Sequence, residues 1–173
     1  MIEKVIDTDV LVIGGGIGGA PLRPVIQHVA KNRDRFGKLT ILWAARNPLL
    51  LMFKDEYANW EAIPNTKLHL TVDQGDEHWH GRVGLITDLL KEIEPAHENT
   101  IAITCGPPIM IFYVDKMLAE MGFLAENRYV TLEARMHCGI GKCGRCNIGE
   151  KLVCVDGPVF SMNEVAGFLE GYY

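Results

Sequence analysis

The sequence has no surplus of basic residues and no apolar run long enough to cross a membrane. Its 173 residues include 17 Lys and Arg against 22 Asp and Glu, which gives a formal net charge of −5. Nucleic-acid-binding proteins carry a basic patch or stripe, so we expect neither DNA nor RNA as a partner. The longest apolar stretches, "VLVIGGGIGGAPL" and "NPLLLMF", are too short or too rich in glycine to span a bilayer.

The N-terminal stretch "MIEKVIDTD" has neither the basic region nor the apolar region of a signal peptide. We therefore expect the protein to act in the cytoplasm, a compartment that keeps thiols reduced. The sequence has five cysteines, and four of them fall between positions 138 and 154. Such clustering favours a metal or iron–sulfur site over disulfides.

Short apolar and β-branched runs alternate with amphipathic helical patterns from residue 9 to residue 134. This order is typical of an α/β fold, in which helices cover a parallel sheet. The fold class is therefore α/β, with a five-stranded parallel sheet in a domain that occupies residues 1–133. We predict strands at 9–13, 39–45, 67–72, 100–105 and 128–134, and helices at 21–32, 49–63, 83–93 and 107–122.

The segment after residue 133 changes character, because "RMHCGIGKCGRCNIGEKLVCVDGPVF" is rich in glycine and has no helical or strand period. Such a segment buries little apolar surface, so a bound group must hold it together. Its pattern C-x4-C-x2-C-x7-C resembles the spacing of plant-type [2Fe-2S] ferredoxins, with structural zinc and four unconnected thiols as the alternatives. We predict a [2Fe-2S] lobe over 134–160, a tail over 161–173, and four metal ligands: Cys138, Cys143, Cys146 and Cys154.

A glycine cluster follows the first predicted strand, in "VLVIGGGIGGAPLRP". The spacing Gly14-x-Gly16-x-x-Gly19 is that of a dinucleotide-binding fingerprint, in which the backbone approaches a pyrophosphate at a helix N-terminus. A tight turn without a ligand is the structural alternative. A flavin-type fingerprint leads one to expect Asp or Glu at the end of the second strand, but this sequence has "AAR" there, ending at Arg46. Arg46 can accommodate the 2′-phosphate of NADP, and a surface arginine without a ligand is an equal alternative, so we predict NAD(P).

Three motifs together, "GGIGGAPLRPVI", "CGPPIM" and "LEARMHCGIGKCGRCNIG...VCVDGPVF", resemble ferredoxin–NADP reductase-like electron-transfer subunits. The nearest branch contains the electron-transfer subunit of dihydroorotate dehydrogenase, the sulfhydrogenase gamma subunit and the corresponding subunit of anaerobic sulfite reductase. Members of this family pass a hydride from NAD(P)H to FAD, and then single electrons through a [2Fe-2S] cluster to a partner. An FAD-binding β-barrel precedes their nucleotide domain, whereas this chain begins where that second domain begins. The resemblance therefore implies that FAD comes from another domain or subunit.

The resemblance also implies which residues form the site. The glycine-rich loop would bind the dinucleotide, and "CGPPIM" would lie beside the nicotinamide and the flavin ring. Cys105 would be the catalytic residue, close to the hydride path, although a small cysteine that only packs at a strand end is an equal alternative. The implied nucleotide contacts are Gly15, Gly16, Ile17, Gly18, Ala20, Pro21, Arg46, Cys105, Gly106 and Pro107.

The sequence thus predicts an electron-transfer subunit of a multi-subunit oxidoreductase of anaerobic metabolism, which uses NAD(P)H, a [2Fe-2S] cluster and a flavin supplied elsewhere. The expected partners are subunits of hydrogenase, heterodisulfide-reductase-like, sulfite reductase or dihydroorotate dehydrogenase type. Two alternatives belong to other classes. One is a non-catalytic iron–sulfur relay that binds no nucleotide, and the other is a zinc-stapled nucleotide-binding module.

Overall fold

The computed structural model describes residues 7–165 and residue 167, so residue 166 and residues 168–173 of the predicted tail over 161–173 lie outside the described residues. In the described part of the chain, no helix is long and apolar enough to cross a membrane. The helices are α1 Gly19–Lys31, α2 Tyr57–Glu61, α3 Ile86–Ile93, α4 Pro108–Glu120 and α5 Met162–Val165. The strands are β1 Thr8–Gly15, β2 Phe36–Ala45, β3 Thr66–Val72, β4 Arg82–Val83, β5 Thr100–Cys105, β6 Arg128–Thr131, β7 Asn147–Ile148, β8 Lys151–Leu152 and β9 Val159–Ser161.

Seven of the strands form one sheet in the order β4-β3-β2-β1-β5-β6-β9, and β7 and β8 form a separate hairpin. Neighbours in the large sheet run parallel, except that β9 is antiparallel to β6. The predicted α/β fold with a parallel sheet is confirmed, but the predicted count of five strands is wrong. The count omits β4 and β9, which have two and three residues and are too short to show a strand period.

The sheet is covered on both faces by apolar cores. The central strand β1 is buried from Val10 to Gly15, as expected of a parallel strand with helices on either side. One core packs α1 against the sheet around Val12 and Trp43. The other packs α3 and α4 around Ile13 and Val114. Because both faces are filled, the loops at the carboxyl ends of the strands start from fixed positions.

The predicted helix over 49–63 is wrong in its first half. Asn47 caps a 3-10 turn over Pro48–Leu50, and its side chain accepts hydrogen bonds from two backbone N–H groups of that turn. Phe53 then has a φ of 59°, a left-handed conformation that a right-handed helix cannot contain. The chain therefore turns twice before the α-helix starts at Tyr57.

A third core joins the cysteine-rich lobe to the sheet. It packs Ile111 of α4 and Val130 of β6 against Ile148 and Phe160 of the lobe. Val130 and Phe160 are also register partners in the β6–β9 pair. The lobe is thus attached to the seven-stranded sheet both by side-chain packing and by backbone hydrogen bonds.

Candidate functional site

A cavity of about 760 Å³ opens at the carboxyl edge of the sheet. In open α/β sheets, ligands bind where the strand order reverses, and here it reverses at β1, which lies between β2 and β5. The walls come from the loops after β1, β2, β3 and β5 and from the starts of α3 and α4. The lining residues are Gly15, Gly16, Ala44, Ala45, Arg46, Leu50, Asp73, Leu85, Ile86, Thr87, Pro107, Ile109, Met110 and Tyr113.

The glycine loop at the end of β1 forms one wall of this cavity. Gly16 has a φ of 55°, a left-handed conformation that glycine adopts without strain. A Cβ added to Gly18 would lie 2.6 Å from the backbone of Gly106, so the loops after β1 and β5 touch through their main chains. The N-terminus of α1 follows directly, and helix N-termini offer N–H donors and a favourable dipole to an anion. The loop therefore fits a pyrophosphate.

The first and last glycines of the fingerprint serve a different purpose, which is contact with Trp43. A Cβ on Gly14 would lie 2.8 Å from the indole ring, and a Cβ on Gly19 would overlap the same ring. Trp43 is buried, and its Nε1 donates a hydrogen bond to the carbonyl oxygen of Met52 at 3.2 Å. Packing inside the protein thus requires these two glycines, independently of any ligand.

The structure brings together four of the predicted nucleotide contacts, Gly15, Gly16, Arg46 and Pro107, in the lining of the large cavity. These four come from three separate loops, which supports the prediction that the loops act as one site. The roles of all the predicted contacts stay predictions. The other six are not part of this lining: Ile17, Gly18, Ala20, Pro21, Cys105 and Gly106.

Asp73 is a charged residue of the cavity that the sequence analysis missed. Ala45 and Val72 are register partners of the parallel β2 and β3, so Arg46 and Asp73 follow them side by side. The backbone N–H of Asp73 donates to the carbonyl oxygen of Ala45 at 3.1 Å, which extends this pairing. A carboxylate can accept from a ribose hydroxyl and an arginine can accommodate a phosphate. The sequence feature that could have identified Asp73 is its position as an acidic residue directly after the third predicted strand.

Cys105 ends β5 and is only 2% exposed. Burial raises the pKa of its thiol to about 11, and the negative charge of Glu133 acts in the same direction. Hydrogen bonds with the Thr131 side chain and the Gly106 backbone act in the opposite direction. Cys105 is therefore a neutral thiol at pH 7 and is part of neither cavity's lining as far as residues 7–165 and 167 define it. Its predicted catalytic role stays a prediction.

A second cavity, of about 360 Å³, lies on the other side of the loop after β5. Pro107, Ile109 and Met110 face the large cavity, whereas Gly106, Pro108 and Ile111 face the small one. The segment 106–111 is therefore a wall between the two cavities. The remaining lining residues of the small cavity lie at or just after the end of β6: Thr131, Glu133, Ala134 and Arg135. The small cavity thus borders the segment that leads into the cysteine-rich lobe.

The four clustered cysteines are free. Cys138 is hydrogen-bonded to the side chain of Cys143, and Cys154 to the side chain of Cys146. In residues 7–165 and 167, no three His, Cys, Asp or Glu side chains surround a single metal position. Four cysteine thiolates are the ligand set that a [2Fe-2S] cluster requires.

Backbone N–H groups point at the sulfur atoms of these pairs. The N–H of Gly141 donates to the Sγ of Cys154, and that of Lys142 to the Sγ of Cys138, both at 3.3 Å. Hydrogen bonds from the backbone N–H groups of Ile140 and Cys143 lower the pKa of Cys138 to about 6. The bond with Cys146 raises the pKa of Cys154. Donors of this kind stabilise negative sulfur, so the lobe fits an iron–sulfur cluster.

Two family descriptions match consecutive parts of the chain. Residues 12–116 match the oxidoreductase NAD-binding domain. Residues 133–166 match the iron–sulfur cluster binding domain of dihydroorotate dehydrogenase B. The first match contains the large cavity's loops, and the second contains all four clustered cysteines. Both the cavity and the lobe therefore have relatives of known type.

Curated relatives combine the same two parts. Sulfhydrogenase 1 subunit gamma of Pyrococcus furiosus is 38% identical over 164 residues, which cover 91% of this chain and 56% of that protein. A probable dihydroorotate dehydrogenase B (NAD(+)) electron transfer subunit of Thermococcus kodakarensis is 34% identical, covering 92% of this chain and 61% of that protein. The chain thus spans about three-fifths of the length of the curated relatives that it matches.

A solved structure of an NADH-dependent reduced ferredoxin–NADP oxidoreductase, studied for flavin-based electron bifurcation, is similar over nearly the whole chain. Its TM-score is 0.70 at 25% identity, and the match covers 98% of this chain and 60% of that one. The cytochrome b5 reductase domain of Ulva prolifera nitrate reductase matches 71% of this chain and 48% of its own, with a TM-score of 0.63 at 25% identity. The loops at the carboxyl edge, the four clustered cysteines and these relatives agree with one another. The chain belongs to the oxidoreductase NAD-binding domain family, in the branch that continues into an iron–sulfur cluster binding domain of the dihydroorotate dehydrogenase B type.

Proposed function

We propose that this chain passes electrons between NAD(P)H and another protein through a [2Fe-2S] cluster, within a multi-subunit oxidoreductase. The observation that carries the proposal is the wall formed by residues 106–111, with the dinucleotide-type cavity on one side and the approach to the cysteine lobe on the other. A nicotinamide held at this wall is close to the segment that leads to the cluster ligands. The flavin comes from another domain or subunit.

Each part of the chain has a defined task in this proposal. The glycine loop and the start of α1 bind the pyrophosphate, and Arg46 and Asp73 hold the adenosine ribose. The wall would orient the nicotinamide end of a bound dinucleotide, and the neutral thiol of Cys105 lies at the end of the strand that leads into the wall. The cysteine thiolates of the lobe hold the cluster, and the backbone N–H groups offset its negative charge. When bound, a [2Fe-2S] cluster supplies single-electron transfer. NAD(P)H delivers two electrons as a hydride to the flavin, and the cluster then carries them onward one at a time.

The partner and the compartment are also part of the proposal. We place the chain in complexes of the hydrogenase, heterodisulfide-reductase-like, sulfite reductase or dihydroorotate dehydrogenase type, because relatives are subunits of sulfhydrogenase and of dihydroorotate dehydrogenase B. Five free cysteines suit a reducing compartment, so we place it in the cytoplasm.

The test is anaerobic purification of the native complex, followed by identification of the co-purifying chains and by iron, zinc and flavin analysis. We expect iron and flavin in the complex, and NADH or NADPH is expected to bleach the visible absorption of the cluster. A spectrum that does not respond to either nucleotide would favour the non-catalytic relay. A colourless protein with stoichiometric zinc would favour the zinc-stapled module.

The variant Cys143→Ser removes one proposed ligand and is expected to lose the visible absorption.

A further inference from the structure

We propose that the electron accepted by the [2Fe-2S] cluster resides on the iron bound by Cys138, and that the backbone N–H groups of Lys142 and Cys143 direct it there. This inference rests on the proposed function, since it concerns the same cluster. The step is a one-electron reduction, in which one of two ferric ions becomes ferrous and the cluster gains one negative charge. The electron comes from the flavin of the proposed function, and no bond is formed or broken.

The cysteine sulfur atoms differ in the number of backbone N–H groups that donate to them. The Sγ of Cys138 accepts two hydrogen bonds, from Lys142 at 3.3 Å and from Cys143 at 3.4 Å. The Sγ of Cys154 accepts one, from Gly141 at 3.3 Å. Hydrogen bonds to a ligating sulfur change the reduction potential of an iron–sulfur cluster, because they stabilise its negative charge. Added charge is therefore stabilised most at Cys138.

The conformation of the loop fixes these donors in place. Gly139 and Gly141 have φ values of 69° and 75°, in the left-handed region. Turns of this kind bring successive N–H groups to one side and form a concave site for negative charge. A Cβ on Gly139 would meet nothing within 4 Å, so glycine is required there by the backbone conformation and not by the space around it. The donors thus belong to the main chain of the loop.

Burial separates the ligands in the same way. Cys146 is 3% exposed and belongs to the third core, against which Cys154 also packs. Cys143 is exposed, and Cys138 is half-buried and lies outside that core as the described residues define it. Charge is costly in apolar surroundings and is stabilised by water and by N–H donors. The side of the cluster at Cys146 and Cys154 therefore disfavours the electron, and the side at Cys138 favours it.

Positive side chains near the cluster are the competing explanation. Arg135, Lys142 and Arg145 are all exposed, so salt and water screen their charges. A backbone donor in contact with a sulfur atom is not screened in this way. Lys142 has both a charge and a donor, and two substitutions separate them. Lys142→Ala removes the charge and keeps the N–H, whereas Lys142→Pro removes both.

The first test is proton NMR of the full chain with its cluster loaded and reduced by dithionite. In a coupled pair of irons, the cysteine β-protons at ferrous and at ferric iron show opposite temperature dependences. We expect the ferrous pattern at Cys138, assigned from nuclear Overhauser effects to neighbouring residues. A ferric pattern at Cys138, or the same pattern at all four cysteines, would overturn the inference and leave the proposed function intact. A chain that takes up no [2Fe-2S] cluster would overturn both.

The second test compares the midpoint potentials of the Lys142 variants by redox titration, with the reduced cluster detected by electron paramagnetic resonance. Lys142→Pro is expected to have a potential about 59 mV below that of Lys142→Ala, which corresponds to a tenfold change in the equilibrium constant of a one-electron couple. Equal potentials of the two variants would show that the Lys142 N–H does not tune the cluster, and the inference would be wrong. If Lys142→Pro does not take up iron, the NMR pattern of the wild type decides.

Discussion

At the scale of single residues, the glycines of the loop after β1 have separate physical reasons for being glycine. Gly16 needs a left-handed φ of 55°, Gly14 and Gly19 make room for the Trp43 ring, and Gly18 touches the backbone of Gly106. These demands can be separated by experiment, because an added methyl group has a different consequence at each position. Among these contacts, that of Gly18 is the one that links two loops of the cavity through their backbones.

Gly18→Ala is expected to weaken ADP-ribose binding by more than about tenfold, because its Cβ would lie 2.6 Å from the Gly106 backbone and force the two loops apart. Gly16→Ala is the comparison, since a Cβ there meets no protein atom within 4 Å and does not push the two loops apart; its backbone strain costs about 1–2 kcal/mol. Calorimetry and thermal unfolding of both variants check this. Equal affinities of the two variants would show that the contact between the loops does not matter for binding.

The pKa of Cys105 predicts a dependence of stability on pH. The thiol has a pKa of about 11 in the folded protein, against an ordinary value of 9.0. The folded state therefore holds its proton more tightly, so stability is lost as the pH rises from 9 to 11, by up to about 2.7 kcal/mol. The free energy of unfolding of the wild type, measured across this range, is expected to fall more steeply than that of Cys105→Ala. Parallel curves would contradict a buried neutral thiol.

At the scale of secondary-structure elements, an ion pair joins α4 to the start of β6. The Nε of Arg128 lies 2.8 Å from the Oδ1 of Asp115, and both side chains are mostly buried. Burial raises the pKa of Asp115 even though the charge of Arg128 lowers it. Arg128 also donates a hydrogen bond to the carbonyl oxygen of Phe123 at 2.8 Å. The pair therefore fixes the position of α4 relative to β6. Because the wall between the cavities leads into α4, the pair also helps to position the wall.

Asp115→Ala is expected to lower the free energy of unfolding by about 3 kcal/mol, because Arg128 would stay buried without its carboxylate. Glu92→Ala is the matched control. It breaks the pair with Arg82, in which the Glu92 side chain is 60% exposed, so we expect it to destabilise the fold far less. Chemical denaturation measures both effects. A loss for Asp115→Ala as small as that for Glu92→Ala would mean that Arg128 finds water or another acceptor.

The sequence alone is sufficient to predict those structural elements whose residue pattern is local. Five strands, the glycine loop and the cysteine spacing all follow from residues that are neighbours along the chain. The break at Phe53 does not, because it depends on the turn that Asn47 caps and on the Met52 carbonyl, which accepts from both Trp43 and Tyr57. The contact between Gly18 and Gly106 is equally invisible in a sequence, since it joins segments distant along the chain.

At the scale of the whole molecule, the lobe depends on its bound group more than the sheet does. The hairpin of β7 and β8 has two residues in each strand. Gly139 and Gly144, in the cysteine segment, both face open space. No residue from 135 to 145 is buried, so this part of the lobe gains little from apolar burial, although the residues after it join the third core. The sheet, in contrast, has two complete cores.

Removal of iron by anaerobic chelation is therefore expected to act locally. Hydrogen exchange is expected to become faster over residues 138–154, while the amides of β1, β2 and β5 keep their protection. Mass spectrometry of exchanged peptides from the loaded and the chelated protein checks this. A uniform loss of protection in both parts would instead show that the lobe and the sheet unfold as one cooperative unit.

The two strands that are hardest to recognise in the sequence, β4 and β9, are also the two outer strands of the sheet. An outer strand exposes unpaired N–H and C=O groups, which can template edge-to-edge association between molecules. With two and three residues, these strands offer a very short template, and the long apolar strands β1, β2 and β5 are shielded between them. The same brevity that hides β4 and β9 from sequence analysis thus protects the protein from aggregation along its sheet.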